Sequence, residues 1–269
     1  MAKITFLGTG GGRFATIYQK RATGGIYIAD KGLLMHVDPG PGALVKMKEC
    51  RIDPTATNVI FVSHAHPDHY TDAEILIEAM TMGGKRKRGI LIGSESIING
   101  IEDFRAISFY HKKLIKELKV VKPGDKFFIE DYEFEATPTI HSDPTTVGFK
   151  IHLNNGIISY TSDTQYFDGL IEAHKGARLL ILCVTRPIGM KIPFHLSTED
   201  AIEIVKEIKP ELAILTHMGI KFIENASKQA NLVADETGIN TIAAIDGMRI
   251  YMGEKIEIKK DIEFKGEIY

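Results

Sequence analysis

The hydrophobic positions in the first third of the chain fall in short runs separated by glycine-rich breaks, the signature of strands rather than helices. Ile4–Leu7, Gly25–Ala29 and Leu33–Val37 form one set of predicted strands, and Pro39-Gly40-Pro41 ends the third. Ala43–Met47 suits a short helix, and Val59–Val62 is a further strand. Beyond it Ala73, Leu76 and Met80 recur at helical spacing, with Asp72 placed to cap the helix.

The middle of the chain is strand-rich. Gly89–Ile92, Phe127–Ile129, Phe134–Ala136, Val147–Ile151 and Ile157–Tyr160 are apolar runs, and Asn154-Asn155-Gly156 has hairpin-turn chemistry. From Leu179 the pattern alternates: strand Leu179–Val184, helix Ala201–Ile208, strand Leu212–Leu215, helix Phe222–Thr237, strand Thr241–Ala244. Ser197 with Asp200 three positions later is a variant of the capping box, and Gly238 suits a helix C-terminus. No repeat or low-complexity linker interrupts the pattern, so residues 1–269 are expected to form one α/β (α+β) domain whose sheets are covered by helices.

Composition narrows the class without naming a function. Hydrophobic residues make up 44% and charged residues 25% of the 269 positions, which is ordinary for a globular chain. Lys plus Arg number 33 against 35 Asp plus Glu, so polyanion recognition would have to be local. Cys50 and Cys183 form no CxxC pair, and Cys183 lies in an apolar run, as expected of a buried thiol in a reducing compartment. The N-terminus reads as a strand rather than a signal segment, and no apolar run approaches the roughly 20 residues that span a bilayer. A soluble cytoplasmic protein with no membrane partner is therefore expected. Gly8–Gly12 lacks the Lys-Ser/Thr ending of a P-loop and has Arg13 where a dinucleotide fingerprint needs glycine, so it reads as a turn.

The chemistry concentrates in Ser63-His64-Ala65-His66-Pro67-Asp68-His69. These four candidate ligands lie between an apolar strand and a helix start, where loop side chains can converge. His64 and His66 share a face of extended chain, while Asp68 and His69 follow the bend at Pro67 and can address a second point. Imidazoles with carboxylate suit zinc, or manganese or iron, and the absence of thiolate favours a water-bearing catalytic site over a closed structural one.

The motif His64-x-His66-x-Asp68-His69 resembles the signature of the metallo-β-lactamase superfamily. Asp38 after an early strand, His141 in Thr137–Ser142, Asp163 in Tyr160–Thr164 and His217 in Leu215–Gly219 match the family's other elements in order and rough spacing. The resemblance implies a four-layer αββα sandwich with a two-metal site along one edge of the sheets. His64, His66 and His141 would hold one divalent ion, Asp68, His69 and His217 the other, and Asp163 would bridge them. Asp38 would orient a ligand without itself binding metal. Zinc is the expected metal, with manganese or iron as alternatives.

Phe194-His195-Leu196-Ser197-Thr198 and the opening Phe6-Leu7-Gly8-Thr9-Gly10 are similar to the tRNase Z and cyclic-phosphate phosphodiesterase branch. That likeness implies a phosphodiesterase in which a metal-bridged hydroxide attacks a cyclic phosphate, a nucleotide or a short nucleic-acid end. Asp68 and His195 are the catalytic candidates, His195 as the acid that protonates the leaving oxygen. By analogy with the branch the protein would be a homodimer. The long Gly/Pro-rich arm that grips tRNA in tRNase Z has no counterpart in the short segment between His141 and Asp163, which argues against full-length pre-tRNA. Arg186 is a candidate phosphate contact, as is the run Lys85–Arg88, although such a run is more often a solvated connection. The alternatives are a lactonase or thioesterase of the same superfamily, and a non-catalytic nucleic-acid-binding member.

Overall fold

The computed structural model describes residues 1–102 and 104–259. Chain order builds one sheet, then a second, and then returns to the first. Strands β1 (Ala2–Gly8), β2 (Thr23–Asp30), β3 (Leu33–Val37), β4 (Val59–Val62), β5 (Arg88–Gly93) and β6 (Ile115–Val120) pair in sequence, antiparallel as far as β3 and parallel from β3 to β6. The second sheet contains β7 (Lys126–Ile129), β8 (Tyr132–Thr137), β9 (Gly148–Leu153), β10 (Gly156–Tyr160), β11 (Ala177–Arg186), β12 (Leu196–Ser197), β13 (Leu212–Thr216) and β14 (Thr241–Ala243). Finally β15 (Arg249–Met252) and β16 (Ile256–Lys259) extend the first sheet beside β1.

Strand alternation makes two cores of the first sheet. All four residues of β4 are buried. Val59 and Phe61 enter the core between the sheets, while Ile60 and Val62 enter the core under the helices, as the two-residue period of a strand requires. Across the sheets Phe61 meets Phe149 edge to face, with centroids 4.9 Å apart. The helices follow from the connections. They are α1 (Arg13–Tyr18), α2 (Ala43–Glu49), α3 (Pro67–Tyr70), α4 (Ala73–Met80), α5 (Glu95–Ile98), α6 (Phe109–Leu114), α7 (Leu170–His174), α8 (Thr198–Ile208), α9 (Ile220–Ile223) and α10 (Ala226–Thr237). Met47 of α2 and Leu76, Ile77 and Met80 of α4 cover the outer face of the first sheet. Ile204 and Val205 of α8 and Val233 of α10 join the core that includes the second, so the layers read helix, sheet, sheet, helix. Among the described residues no helix is long and apolar enough to cross a membrane.

Three local expectations change. Asp72 precedes α4 but gives it no side-chain cap; its carboxylate accepts instead from the Leu44 backbone N–H at 3.1 Å. The single helix read over Phe222–Thr237 divides into α9 and α10, with Asn225 at φ −137° between them. Ile115–Val120 went unread as a strand because Lys116, Glu117 and Lys119 break its apolar pattern; those charges suit its place at the sheet edge.

The Ser197–Asp200 capping box is complete, and it fixes more than the start of α8. Asp200 also pairs with Lys191 at 2.5 Å, and Glu199 accepts from the Gly189 N–H at 2.6 Å, so this turn holds the loop that leads into His195. Ser197→Ala should lower unfolding stability by about 1 kcal/mol. Urea denaturation of the variant would measure it, and an unshifted midpoint would contradict the role given to the cap.

Candidate metal centre

The predicted site residues collect at one edge because the strands that carry them point the same way. Strands β3 and β4 are parallel, as are β10, β11 and β13. Asp38 follows β3, His64 to His69 follow β4, Asp163 follows β10 and His217 follows β13. His141 leaves the end of β8, which runs with β10 because both are antiparallel to β9. The chain must turn sharply after several of these strands. Asp38, Ser162, Phe194 and His217 all take left-handed backbone conformations, with φ of 50°, 56°, 66° and 56°. Such strain in residues other than glycine persists only where the surroundings over-determine it.

Two groups of donors result. In the first, His66 Nδ1 lies 3.0 Å from His64 Nε2 and 3.1 Å from His141 Nε2. The other ring nitrogens reveal the tautomers. His141 Nδ1 is 3.0 Å from the Phe194 carbonyl, which can only accept, so Nδ1 carries the proton and Nε2 is a bare lone pair. Ser63 Oγ donates to Asp38 and so accepts from His64 Nδ1 at 2.9 Å, which leaves His64 Nε2 bare as well. In the second group His69 Nδ1 donates to Asp38 Oδ2 at 3.0 Å, and His217 Nδ1 donates to Thr185 Oγ at 3.0 Å. Their Nε2 atoms face each other at 3.1 Å, with Asp68 Oδ2 3.2 Å from that of His217. Lone pairs gathered on one point repel unless a cation sits among them, and imidazole with carboxylate is a donor set that divalent ions accept.

Asp163 stands between the groups. Its Oδ2 is 3.7 Å from His69 Nε2 and 3.9 Å from His141 Nε2, and its buried Oδ1 lies 3.2 Å from His217 Nδ1, whose proton is directed to Thr185. A buried carboxylate is costly unless positive charge surrounds it, so this placement among four imidazoles calls for a proton or a cation. The ionisation tendencies agree. Burial favours the neutral form of Asp163, but His217 and His69 outweigh it and hold the carboxyl well below its ordinary range. Asp68 is likewise lowered against burial by His69 and His217. Burial opposes charge on His69, yet Asp68, Asp163 and Asp38 raise it well above 6.5, whereas burial lowers His64 and His66 and takes His141 to about 4.

Sequence reasoning missed several supporting residues. Wholly buried Asp143 accepts from the Ala65 N–H at 3.0 Å, from Ser96 Oγ at 2.5 Å and from Thr145, so it ties the loops of His64–His66 and His141 together. Its Asx-turn with Thr145 was a readable signal, but the bond to Ala65 spans 78 positions. Tyr160 OH donates to Asp38 at 2.7 Å and completes a carboxylate that also accepts from Ser63 and His69. Gly11 passes so close to His217 that a Cβ there would fall 2.1 Å from its ring, and the Gly12 N–H donates to Asp68 Oδ2 at 2.9 Å. The glycine run read as a turn is thus a wall of the site.

His195 Nδ1 lies 3.6 Å from Asp163 and 3.4 Å from Thr185 Oγ, and burial lowers its pKa despite Asp163. Together with His141 and Asp163 it also forms a group able to hold a metal. His195 and Arg186 line a cleft of about 860 Å³ that His66, Asp68 and Asp163 share. Arg186 Nε donates to the Met190 carbonyl. Lys85–Arg88 is placed elsewhere. It leads into the start of β5, at the opposite end of the parallel β4–β5 pair from His64, and Arg88 donates to the carbonyls of Thr55 and Thr57.

The sequence profile of the β-lactamase superfamily domain matches residues 35–218. The protein MJ1374 of Methanocaldococcus jannaschii is 45% identical over 251 residues, 92% of this chain and 94% of its own length. Ribonuclease Z of Methanosarcina acetivorans is 32% identical over 145 residues, which cover 54% of this chain and 47% of that enzyme. Among solved structures, the metallo-β-lactamase fold protein YhfI of Bacillus subtilis has a TM-score of 0.76 at 20% identity, covering 92% of this chain and 98% of that one. The chain belongs to the metallo-β-lactamase superfamily, and is a metal-dependent hydrolase related to ribonuclease Z.

Asp163→Ala should reduce the content of divalent ions at both points, whereas Gly11→Ala, by displacing His217, should weaken the Asp68–His69–His217 point first. Elemental analysis after dialysis distinguishes these outcomes, and full occupancy in Asp163→Ala would remove its bridging assignment.

Proposed function

We propose that the protein is a two-metal phosphodiesterase, with zinc the expected ion, that cleaves a cyclic phosphate, a nucleotide or a short nucleic-acid end. The observation that carries this reading is the pair of donor groups joined by Asp163 at the floor of a cleft that also presents Arg13, Arg186 and Lys221. His64, His66 and His141 would hold one ion, Asp68, His69 and His217 the other, with Asp163 common to both. Two ions so placed would supply a nucleophile from water at neutral pH and offset the charge that develops on phosphorus. The kinship with ribonuclease Z, an enzyme named for cleaving RNA, supports a phosphodiester over a lactone or thioester.

The protein's own side chains then divide the work. Asp38 fixes the tautomer of His69, and Ser63 that of His64. Arg186, exposed in part beside the cleft, would meet a non-bridging phosphate oxygen. His195 would give its proton to the leaving oxygen. It contacts Asp163 and Thr185 on one ring nitrogen and is one-fifth exposed on the cleft side of the donor groups.

Two measurements test this. A metal-loaded preparation should hydrolyse bis-p-nitrophenyl phosphate faster than model lactones and thioesters; a lactone turned over far faster than every diester would replace the reading with a lactonase. His195→Ala should keep its metal and lose about 10²–10⁴-fold on a nucleotide diester, whose alkoxide needs a proton, with a much smaller loss on a p-nitrophenyl diester. Equal losses on both substrates would make His195 a positioning residue, and loss of an ion would place it among the ligands.

A further inference from the structure

Helix α1 carries its apolar face outward. Phe14, Ile17 and Tyr18 are 62%, 63% and 63% exposed, while Ala15 is its buried residue. Phe14 and Tyr18, one turn apart, stack with centroids 6.5 Å apart and planes 17° from parallel. This helix is not a loosely attached segment. The Gly12 N–H is bonded to Asp68, the Gly11 N–H to the Met218 carbonyl, and Gly11 packs on the His217 ring, so the turn that leads into α1 is fastened to the donor groups. Phe14 and Ile17 line the same cleft as His66, Asp68 and Asp163, with Ile192 and Ile220 as further apolar lining.

An outward aromatic stripe at the mouth of a polar site marks a surface that a ligand covers. The cleft's volume of about 860 Å³ exceeds what a bare phosphate diester fills, and its polar lining includes Arg13 beside Phe14 and Arg186. Cations next to an exposed flat ring suit a ligand that joins a phosphate to a planar, apolar group. We propose that Phe14, backed by Tyr18, is the stacking platform for a nucleobase attached to the scissile diester, so that the substrate class is nucleoside-bearing. The assignment rests on the phosphodiesterase reading for its kinetics, though not for its binding.

The chain contains no tryptophan, so Phe14→Trp places its one tryptophan on the proposed platform, where it can be excited apart from the tyrosines. AMP should quench it saturably, and ribose 5-phosphate, which shares the sugar and phosphate but lacks the base, should not. In kinetics, the p-nitrophenyl esters of thymidine 5′-phosphate and of methyl phosphate share a leaving group and differ in the nucleoside, and the AMP and ribose 5-phosphate pair isolates the base. Phe14→Ala should lower the thymidine-to-methyl ratio of kcat/KM on the order of 10-fold through KM, and Phe14→Trp should restore it. Equal quenching by ribose 5-phosphate, or an unaltered ratio in Phe14→Ala, overturns the platform. If Phe14→Ala leaves that ratio unaltered and converts a dimer to a monomer in sedimentation, the stripe is a subunit interface and the proposal fails. If the wild-type enzyme cleaves neither ester, the diester reading falls, while quenching by AMP alone would still establish the platform.

Discussion

Nitrogen lone pairs held about 3 Å apart in a buried site repel, and the fold is arranged to force that approach. The bare nitrogens face inward because each opposite nitrogen has a partner: Asp38 for His69, Ser63 for His64, the Phe194 carbonyl for His141 and Thr185 for His217. Those partners come from three separate loops and the end of β11, so the arrangement fixes strand-end geometry across both sheets. The Asp163 carboxylate, buried between the groups, adds the negative charge that draws in a cation. His69 shows the same field from another side. Three carboxylates raise its pKa against its own burial, so either a proton or a metal ion must satisfy it.

That requirement explains features that would otherwise be costly. Asp38, Ser162 and His217 adopt left-handed backbones at strand ends, and glycine at position 11 leaves room for the His217 ring. Asp143 is a buried carboxylate whose bonds to Ala65, Ser96 and Thr145 satisfy it and make it the knot between the two loops that supply the first donor group. Such a network tolerates little drift, since the donors would separate if any one loop relaxed. The parallel strands beneath supply the rigidity; residues of β4 and β13 are buried along their full lengths.

Above this rigid floor the chain is more permissive. The cleft is bordered by α1, by the loop that precedes His195 and by α9, all short elements outside the sheets. Members of one superfamily can therefore keep the floor and differ in the walls, which is where substrate choice resides. In this chain the walls combine cations with an outward aromatic stripe.

The sequence by itself determined most of the strands and offered the candidate donors. Leu33–Val37 and Val59–Val62 have the bounds read from their apolar runs, and the Ser197–Asp200 capping box and Gly238 cap are as their residue types dictate. His64, His66, Asp68, His69, His141, Asp163 and His217 could be named because few other roles explain so many imidazoles and carboxylates just beyond apolar strands. These signals are local, carried by period, turn chemistry and residue type. Tertiary structure alone decided that Asp143 reaches Ala65, that Asp72 serves Leu44 rather than α4, and that Gly11 abuts His217. It also separated the cations, bringing Arg13 and Arg186 to the cleft and leaving Lys85–Arg88 at the far end of the sheet. A hydrogen bond or a close approach across 78 or 206 positions leaves no periodic trace in the chain, because it depends on where two strand ends arrive and not on the residues beside them.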